Sequence, residues 1–376
     1  MEWVNRVEDP ICYSKKIFGY RPLNFFLHVL FAVTTMSWKI TAVSLIGLLA
    51  WWYKTAICPP APLICGSLRG LPITAPRIRL RDGRHLAYKE HGVPKDMAKY
   101  KIILVHGFRL SRHDDALTKS ELAKKLGIYF VSFDRPGYGQ SDPDPKRTMK
   151  STALDIQELG DQLGLGPKFF VVGYSMGGQV VWGCLKYIPH RLAGATLIAP
   201  VVNYWWPSFP PKLSTEAYNQ QSCRDQWALR VTHYAPWLLY WWDTQQWFPS
   251  SSVANGMPNF TAPDLKVLPD YLAEQVTDPD YATQQGRYES LHRDLMVGFG
   301  KWDFDPMNLE NPFMDTEVSV HLWQGLEDGL VPHTLQRFVA QKLQWIQYHE
   351  VPNAGHLFAY ADAKDAILKT LLLGKK

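Results

Sequence analysis

The chain has 376 residues, 46% of them apolar, with a formal net charge of +5. That is material for one large domain or two ordinary ones, and no compact Lys/Arg run marks a nucleic-acid patch, so nucleic-acid binding is not expected. The five cysteines, Cys12, Cys58, Cys65, Cys184 and Cys223, include no Cys-x-x-Cys pair and no zinc-spaced His/Cys cluster, which argues against a metal centre and a disulfide framework.

From Leu23 to Tyr53 the chain is strongly apolar, interrupted by His28 and Lys39. A membrane-spanning helix needs about 20 such residues. Trp38-Lys39 and Trp51-Trp52-Tyr53-Lys54 read as interfacial anchors with outward-reaching lysines. We expect residues 1–57 to form an N-terminal segment with a membrane-anchoring helix, in the endoplasmic reticulum or another endomembrane. The flanking positive charge is too even to orient it, and an in-plane helix stays open because the framed span is short. A cleaved signal peptide would end in small residues, not bulky aromatics, and a buried soluble helix is the remaining alternative.

Cys58 to Pro76 is dense in proline and glycine and reads as a linker, 58–76. From Arg77, RIRLRDGRHLAYKEHG alternates apolar and polar residues around Asp82-Gly83, a hairpin signal. Apolar strands then alternate with helical patterns. The strands are expected at Lys101–Gly107, Ile128–Asp134, Lys168–Tyr174, Gly194–Pro200, Val318–Gly325 and Ile346–Pro352. The helices are expected at Ser151–Leu163, Met176–Tyr187, His333–Leu343 and Ala361–Leu373. Strands apolar throughout imply a mostly parallel α/β sheet covered by helices on both faces, a core of 77–203 and 316–376. Cys184 falls on a buried helix as a small apolar residue.

One junction in this pattern carries chemistry. In FFVVGYSMGGQVVW a strand ends in Gly-x-Ser-x-Gly and a helix begins at once. Parallel sheets form ligand sites at the carboxyl ends of strands. The turn around Ser175 is tight, and side chains at Gly173 and Gly177 would collide with neighbouring strand and helix. A serine nucleophile needs a base, and the base needs an orienting group. Of the twelve histidines, His356 stands on a loop after the last strand. Asp328 follows the preceding strand, with Glu327 as runner-up; Asp303 and Asp305 read as a solvated turn. Two amides suit a developing oxyanion: Met176 at a helix N-terminus, and Phe108 beside Gly107 at the end of the first parallel strand. His106 is expected to organise that loop.

Together His106-Gly107-Phe108, Asp134-Arg135-Pro136-Gly137-Tyr138-Gly139-Gln140-Ser141, Gly173-Tyr174-Ser175-Met176-Gly177-Gly178, Gly325-Leu326-Glu327-Asp328 with Val331-Pro332, and Gly355-His356 resemble the α/β-hydrolase superfamily over about Arg77 to Leu373. The wording APRIRLRDGRHLAYKEHGVPK and Ser111–Asp114 is similar to a plant membrane-anchored branch. The resemblance implies a Ser175–Asp328–His356 esterase-like site and no particular substrate. Serine at the nucleophile position argues against epoxide hydrolases and haloalkane dehalogenases of this fold. The HGGG loop of one esterase branch is missing, as is the His-x-x-x-x-Asp pattern of some acyltransferase relatives.

Between Pro200 and about Asp315 the sheet pattern stops. In the fold so resembled, an insertion here, 204–315, forms a helical lid. Any one of its tryptophans alone reads as a core residue joining lid to sheet; as a group Trp205, Trp206, Trp237 and Trp241, with Trp242, Trp247 and Tyr174, are expected to give an apolar substrate pocket, or else to rest the lid on a membrane surface. The expected activity is hydrolysis of a lipophilic carboxylic ester through an acyl-enzyme, without metal or organic cofactor. Alternatives are a ligand receptor of the same fold with little turnover, and an acyltransferase or lyase using the same serine. The sequon Asn259-Phe260-Thr261 would be glycosylated only on a lumenal domain.

Overall fold

The computed structural model describes residues 38–114, 116–256, 258–274, 280–314 and 318–374. The expectations for Cys12 and for the apolar stretch from Leu23 to Ser37, with His28, lie outside them. The chain divides into two compact units, one ending at Ala56 and one beginning at Ile57.

In the first unit, helix α1 (Trp38–Trp52) runs into a single wider turn, Tyr53–Ile57. It exposes apolar side chains such as Val43, Ile46 and Leu49. Among the described residues this is the one helix long and apolar enough to cross a membrane, over Ile40–Ile57.

In the second unit the stretch 58–76 has no helix or strand yet is not a free linker. The Cys65 amide donates to Gln285 Oε1 at 3.1 Å, and the Thr74 and Ala75 amides donate to Gln140 Oε1 at 3.0 and 2.9 Å. Two buried glutamines thus supply acceptors that an irregular backbone cannot find within itself. The proline-rich composition predicted the irregularity and not the attachment.

The sheet has eight strands in the order β1-β2-β4-β3-β5-β6-β7-β8. They are β1 (Arg77–Arg79), β2 (His85–Gly92), β3 (Tyr100–Val105), β4 (Ile128–Phe133), β5 (Phe169–Tyr174), β6 (Leu192–Ile198), β7 (Val320–Gly325) and β8 (Ile346–Val351). The first two form the expected hairpin, pairing Ile78 with Leu86, with Gly83 at φ 93 in the turn. β2 joins β4 antiparallel, and all later pairings are parallel.

Alternate residues of each strand serve different faces. Ile103 and Val105 pack into a cluster with Ile156 and Val181, whereas Ile102 and Leu104 pack into another with Ile367 and Leu368. The first layer holds α3 (Met149–Gln162) and α4 (Met176–Tyr187); the second holds α2 (Glu121–Lys125) and α11 (Ala363–Leu373). Thr148 and Ser151 cap α3 reciprocally, each side chain taking the other's amide. α10 (His333–Lys342) lies between β7 and β8 in sequence.

Between β6 and β7 no strand occurs among the described residues; five helices follow one another. They are α5 (Pro211–Asn219), α6 (Cys223–Tyr234), α7 (Leu239–Thr244), α8 (Ala262–Glu274) and α9 (Arg293–Phe299). Asp305, expected in a solvated turn, caps the short 3-10 turn Pro306–Asn308, accepting the Ser208 and Met307 amides at 2.8 and 2.9 Å.

Candidate active site

Ser175 stands where β5 ends and α4 begins, with φ 54 and ψ −117. A non-glycine residue there is strained by about 1–3 kcal/mol. The surroundings leave no alternative path. A Cβ on Gly173 would lie 2.3 Å from the Gly177 carbonyl oxygen, and one on Gly177 would lie 2.1 Å from that of Val105. Strand and helix are therefore in backbone contact, and the turn between them is fixed. The Ser175 amide donates to Ile198 O at 2.8 Å, tying the elbow to β6.

His356 and Asp328 come from the loops after β8 and β7. His356 Nδ1 lies 2.7 Å from Asp328 Oδ2. Asp328 Oδ1 accepts the Leu330 and Val331 amides at 2.8 and 2.9 Å, and Gln324 Nε2 donates to Oδ2 at 3.0 Å. With every Asp328 lone pair facing a donor, Oδ2 accepts from the ring and holds the proton on Nδ1, so Nε2 carries the free lone pair. Glu327, the runner-up, is exposed. Burial opposes the charged imidazole, but Asp328 beside it wins and raises the His356 pKa above 6.5.

Ser175 and His356 line one cavity of about 640 Å³. The Tyr174 hydroxyl donates to the His356 carbonyl at 3.2 Å, and the two rings lie 5.2 Å apart. No hydrogen bond joins Ser175 Oγ to the His356 ring among the described residues; such contacts often tighten only around the reacting group.

The Phe108 and Met176 amides donate to no protein acceptor among the described residues. A Cβ on Gly107 would stand 3.2 Å from Ser175 Cβ, so the loop before Phe108 passes directly beside the serine. The carbonyl of Gly107 accepts from His106 Nδ1 at 2.8 Å and from Arg135 Nη2 at 3.0 Å. Fixing that carbonyl fixes the peptide whose other end is the Phe108 N–H. His106 Nε2 accepts the Arg135 amide at 3.0 Å, and burial pushes this histidine well below its ordinary pKa, so it stays neutral.

Three further carboxylates pack around the site; the sequence reading named Asp134 only within a motif and gave Asp294 and Asp264 no part. Asp294 of α9 bonds Arg135 through both oxygens, at 2.5 and 2.7 Å, and also Arg147 at 3.1 Å and the Tyr138 hydroxyl at 2.8 Å. Burial would raise the Asp294 pKa, but the two guanidiniums hold it below the usual range. Asp264 of α8 accepts the Leu357 amide at 2.7 Å, and its carboxylate fills the space beside Gly355, 2.3 Å from where a Cβ would stand. Asp134 accepts the Arg112 and Gln140 amides at 2.8 and 2.9 Å, joining the Ser111–Asp114 stretch to the loop after β4. Their partners lie far off in sequence, so the only local trace was the Asp-Arg and Ser-Arg-His-Asp wording.

The cavity corrects the expected pocket. Tyr174 lines it, but Trp205, Trp206, Trp237 and Trp241 do not; its apolar wall comes from Phe108, Val253, Phe260, Leu265, Leu268 and Leu272. Trp205 stacks on His233 with ring centres 4.2 Å apart, Trp206 is buried against Phe209 and Trp302, Trp237 is exposed, and Trp241 packs on Trp242 and Trp247. Trp205 and Trp206 thus join the insertion to the main apolar cluster and Trp241 packs among neighbouring indoles, an apolar demand as great as a ligand's. Asn259 is exposed and lines the cavity. Among the described residues no cluster of three or more His, Cys, Asp or Glu is placed to hold a metal ion.

If His356 is the general base, kcat/KM should fall as pH drops through its pKa. The raised pKa puts the midpoint of that acid limb above pH 6.5. A pH–rate profile on a neutral ester checks this; a midpoint well below 6.5 excludes the Asp328–His356 pair as the titrating unit.

A model of the Alpha/beta hydrolase family matches residues 102–370. Comparison with curated proteins gives no match. Among solved structures, an esterase from Thermogutta terrifontis is 20% identical with a TM-score of 0.52, covering 79% of this chain and 96% of its own. An esterase from Exiguobacterium antarcticum is 16% identical, with a TM-score of 0.54 and coverage of 80% and 98%. A putative non-heme bromoperoxidase from Mycobacterium tuberculosis is 18% identical, with a TM-score of 0.52 and coverage of 77% and 97%. At these identities the likeness is one of fold, and it bears on no narrower branch.

Proposed function

Because this chain belongs to the alpha/beta hydrolase family, we propose that it is a serine hydrolase that cleaves a lipophilic carboxylic ester through an acyl-enzyme. One observation carries the reading: a serine on a strained elbow and a histidine held by a buried carboxylate open into the same largely apolar cavity.

Ser175 Oγ attacks the ester carbonyl while His356 Nε2 takes its proton. Asp328 keeps the imidazole in the required tautomer and stabilises the imidazolium. The tetrahedral oxyanion lies on the Phe108 and Met176 amides. His356 then protonates the departing alcohol, and a water activated by the same nitrogen releases the acid and restores the serine. The insertion between β6 and β7 serves as the lid, since its residues supply much of the cavity wall. The apolar helix over Ile40–Ile57 anchors the enzyme to a membrane, where lipophilic esters concentrate.

Fluorophosphonate labelling tests the assignment. The wild-type protein should be labelled and Ser175→Ala should not; equal labelling of the two ends it.

A further inference from the structure

Arg109 follows Phe108 directly and lines the cavity with Ser175 and His356. Its backbone sits at φ 61, one of four described non-glycine residues with positive φ. Such strain persists only where the surroundings over-determine a position, and it gathers at ligand clamps. Nη1 donates to the Ala254 carbonyl at 2.6 Å, and Nη2 lies 3.4 Å from where a Cβ on Gly256 would stand. The guanidinium therefore lies along the insertion segment that walls the cavity.

The same Ala254 carbonyl accepts from Arg287 at 3.0 Å, so two guanidiniums meet on one oxygen. Arg287 has the carboxylate of Asp243 at 3.0 Å. Arg109 has no carboxylate at ion-pair distance among the described residues; Asp280 acts on it only through its field. The buried arginines of the site differ in this respect. Arg112 pairs with Asp134, and Arg135 and Arg147 pair with Asp294. Burial and the Arg287 charge both press on the Arg109 cation and lower its pKa, which marks a site short of negative charge. Half-burying an unpaired cation beside a like charge is unfavourable, and an arriving anion would relieve it.

We propose that Arg109 is the anion-recognition residue of this cavity, and that the substrate is a lipophilic ester bearing a carboxylate or phosphate that pairs with the guanidinium while its carbonyl lies at Ser175. The proposal rests on the serine-hydrolase reading above. A guanidinium fork offers two parallel donors to such a group, which a lysine cannot reproduce. The apolar wall would take the chain between the two polar ends.

The test uses the full-length protein in detergent micelles and three ester series of matched length. These are p-nitrophenyl half-esters of dicarboxylic acids, p-nitrophenyl esters ending in a phosphate, and the same half-esters capped as methyl esters. The readout is the ratio of kcat/KM for a charged ester over its neutral counterpart. In the wild type this ratio should exceed about tenfold for whichever anion fits, fall by about tenfold in Arg109→Gln, mainly through KM, and recover in part in Arg109→Lys. Comparing the carboxylate and phosphate series names the anion. A wild-type ratio of one or below overturns the proposal. So does a ratio that Arg109→Gln leaves unchanged, which would reduce Arg109 to a tether for Ala254. Absence of both fluorophosphonate labelling and turnover on every ester would instead sink the hydrolase reading. The anion site is then judged by calorimetry, in which the half-acid should bind Ser175→Ala about tenfold tighter than its methyl ester, and equal binding rejects it.

Discussion

Asp328→Asn is expected to lower kcat about 10⁴-fold on a p-nitrophenyl ester while leaving the fold intact. The Leu330 and Val331 amides both donate to Oδ1, so the asparagine would keep its carbonyl oxygen there. Its amide nitrogen would then replace Oδ2, where His356 Nδ1 and Gln324 Nε2 now find an acceptor. Two donors would face each other across the ring. The imidazole escapes by moving its proton to Nε2, which removes the lone pair that Ser175 needs. Without the Asp328 carboxylate, burial opposes the imidazolium with only the Asp264 charge left to favour it, so the pKa falls and the acid limb should shift to lower pH in whatever activity remains. Circular dichroism and melting temperature separate this from unfolding. A loss below about tenfold would show that Asp328 does not orient the base.

Asp294→Ala is expected to destabilise the protein by about 3–5 kcal/mol, because it strands two buried guanidiniums at once. Arg135 and Arg147 both depend on this carboxylate, and the Tyr138 hydroxyl donates to it as well. For a unit of this size the change corresponds to a melting temperature lower by about 5–8 °C. Activity should suffer too. Arg135 also holds the Gly107 carbonyl, so a loosened guanidinium frees the peptide that presents the Phe108 amide. Loss of one oxyanion donor typically costs about 10²–10³ in rate. The measurement is thermal unfolding alongside kcat at a temperature where both proteins are folded. A variant as stable as wild type would mean that water or a shifted side chain neutralises the pair.

The fold was legible because parallel strands buried on both faces spell out as unbroken apolar runs. Phe169–Tyr174 and Val320–Gly325 stand out without any knowledge of their neighbours. The positions of Ser175, Asp328 and His356 were legible for a different reason: each follows a strand, and strand ends in a parallel sheet share one edge. What stayed hidden depended on direction, not position. An indole can pack on the next helix or face a ligand, and nothing local to Trp205 or Trp206 distinguishes the two. Asp264, Asp294, Gln140 and Gln285 look like ordinary surface residues in one dimension, since each acquires its partner across a long stretch of chain. Arg109 was silent because no pattern announces a residue that finds no carboxylate partner among the described residues.

The contact between Asp264 and the 355–357 backbone limits how such an enzyme can be rebuilt. A chimera that grafts a relative's 204–315 onto this core would strip the histidine loop of a buried acceptor and leave a hollow beside Gly355. On the proposed reading, in which 204–315 is the lid, selectivity and reactivity are inherited together, and an exchange of that insertion succeeds only when the donor carries its own replacement for that aspartate.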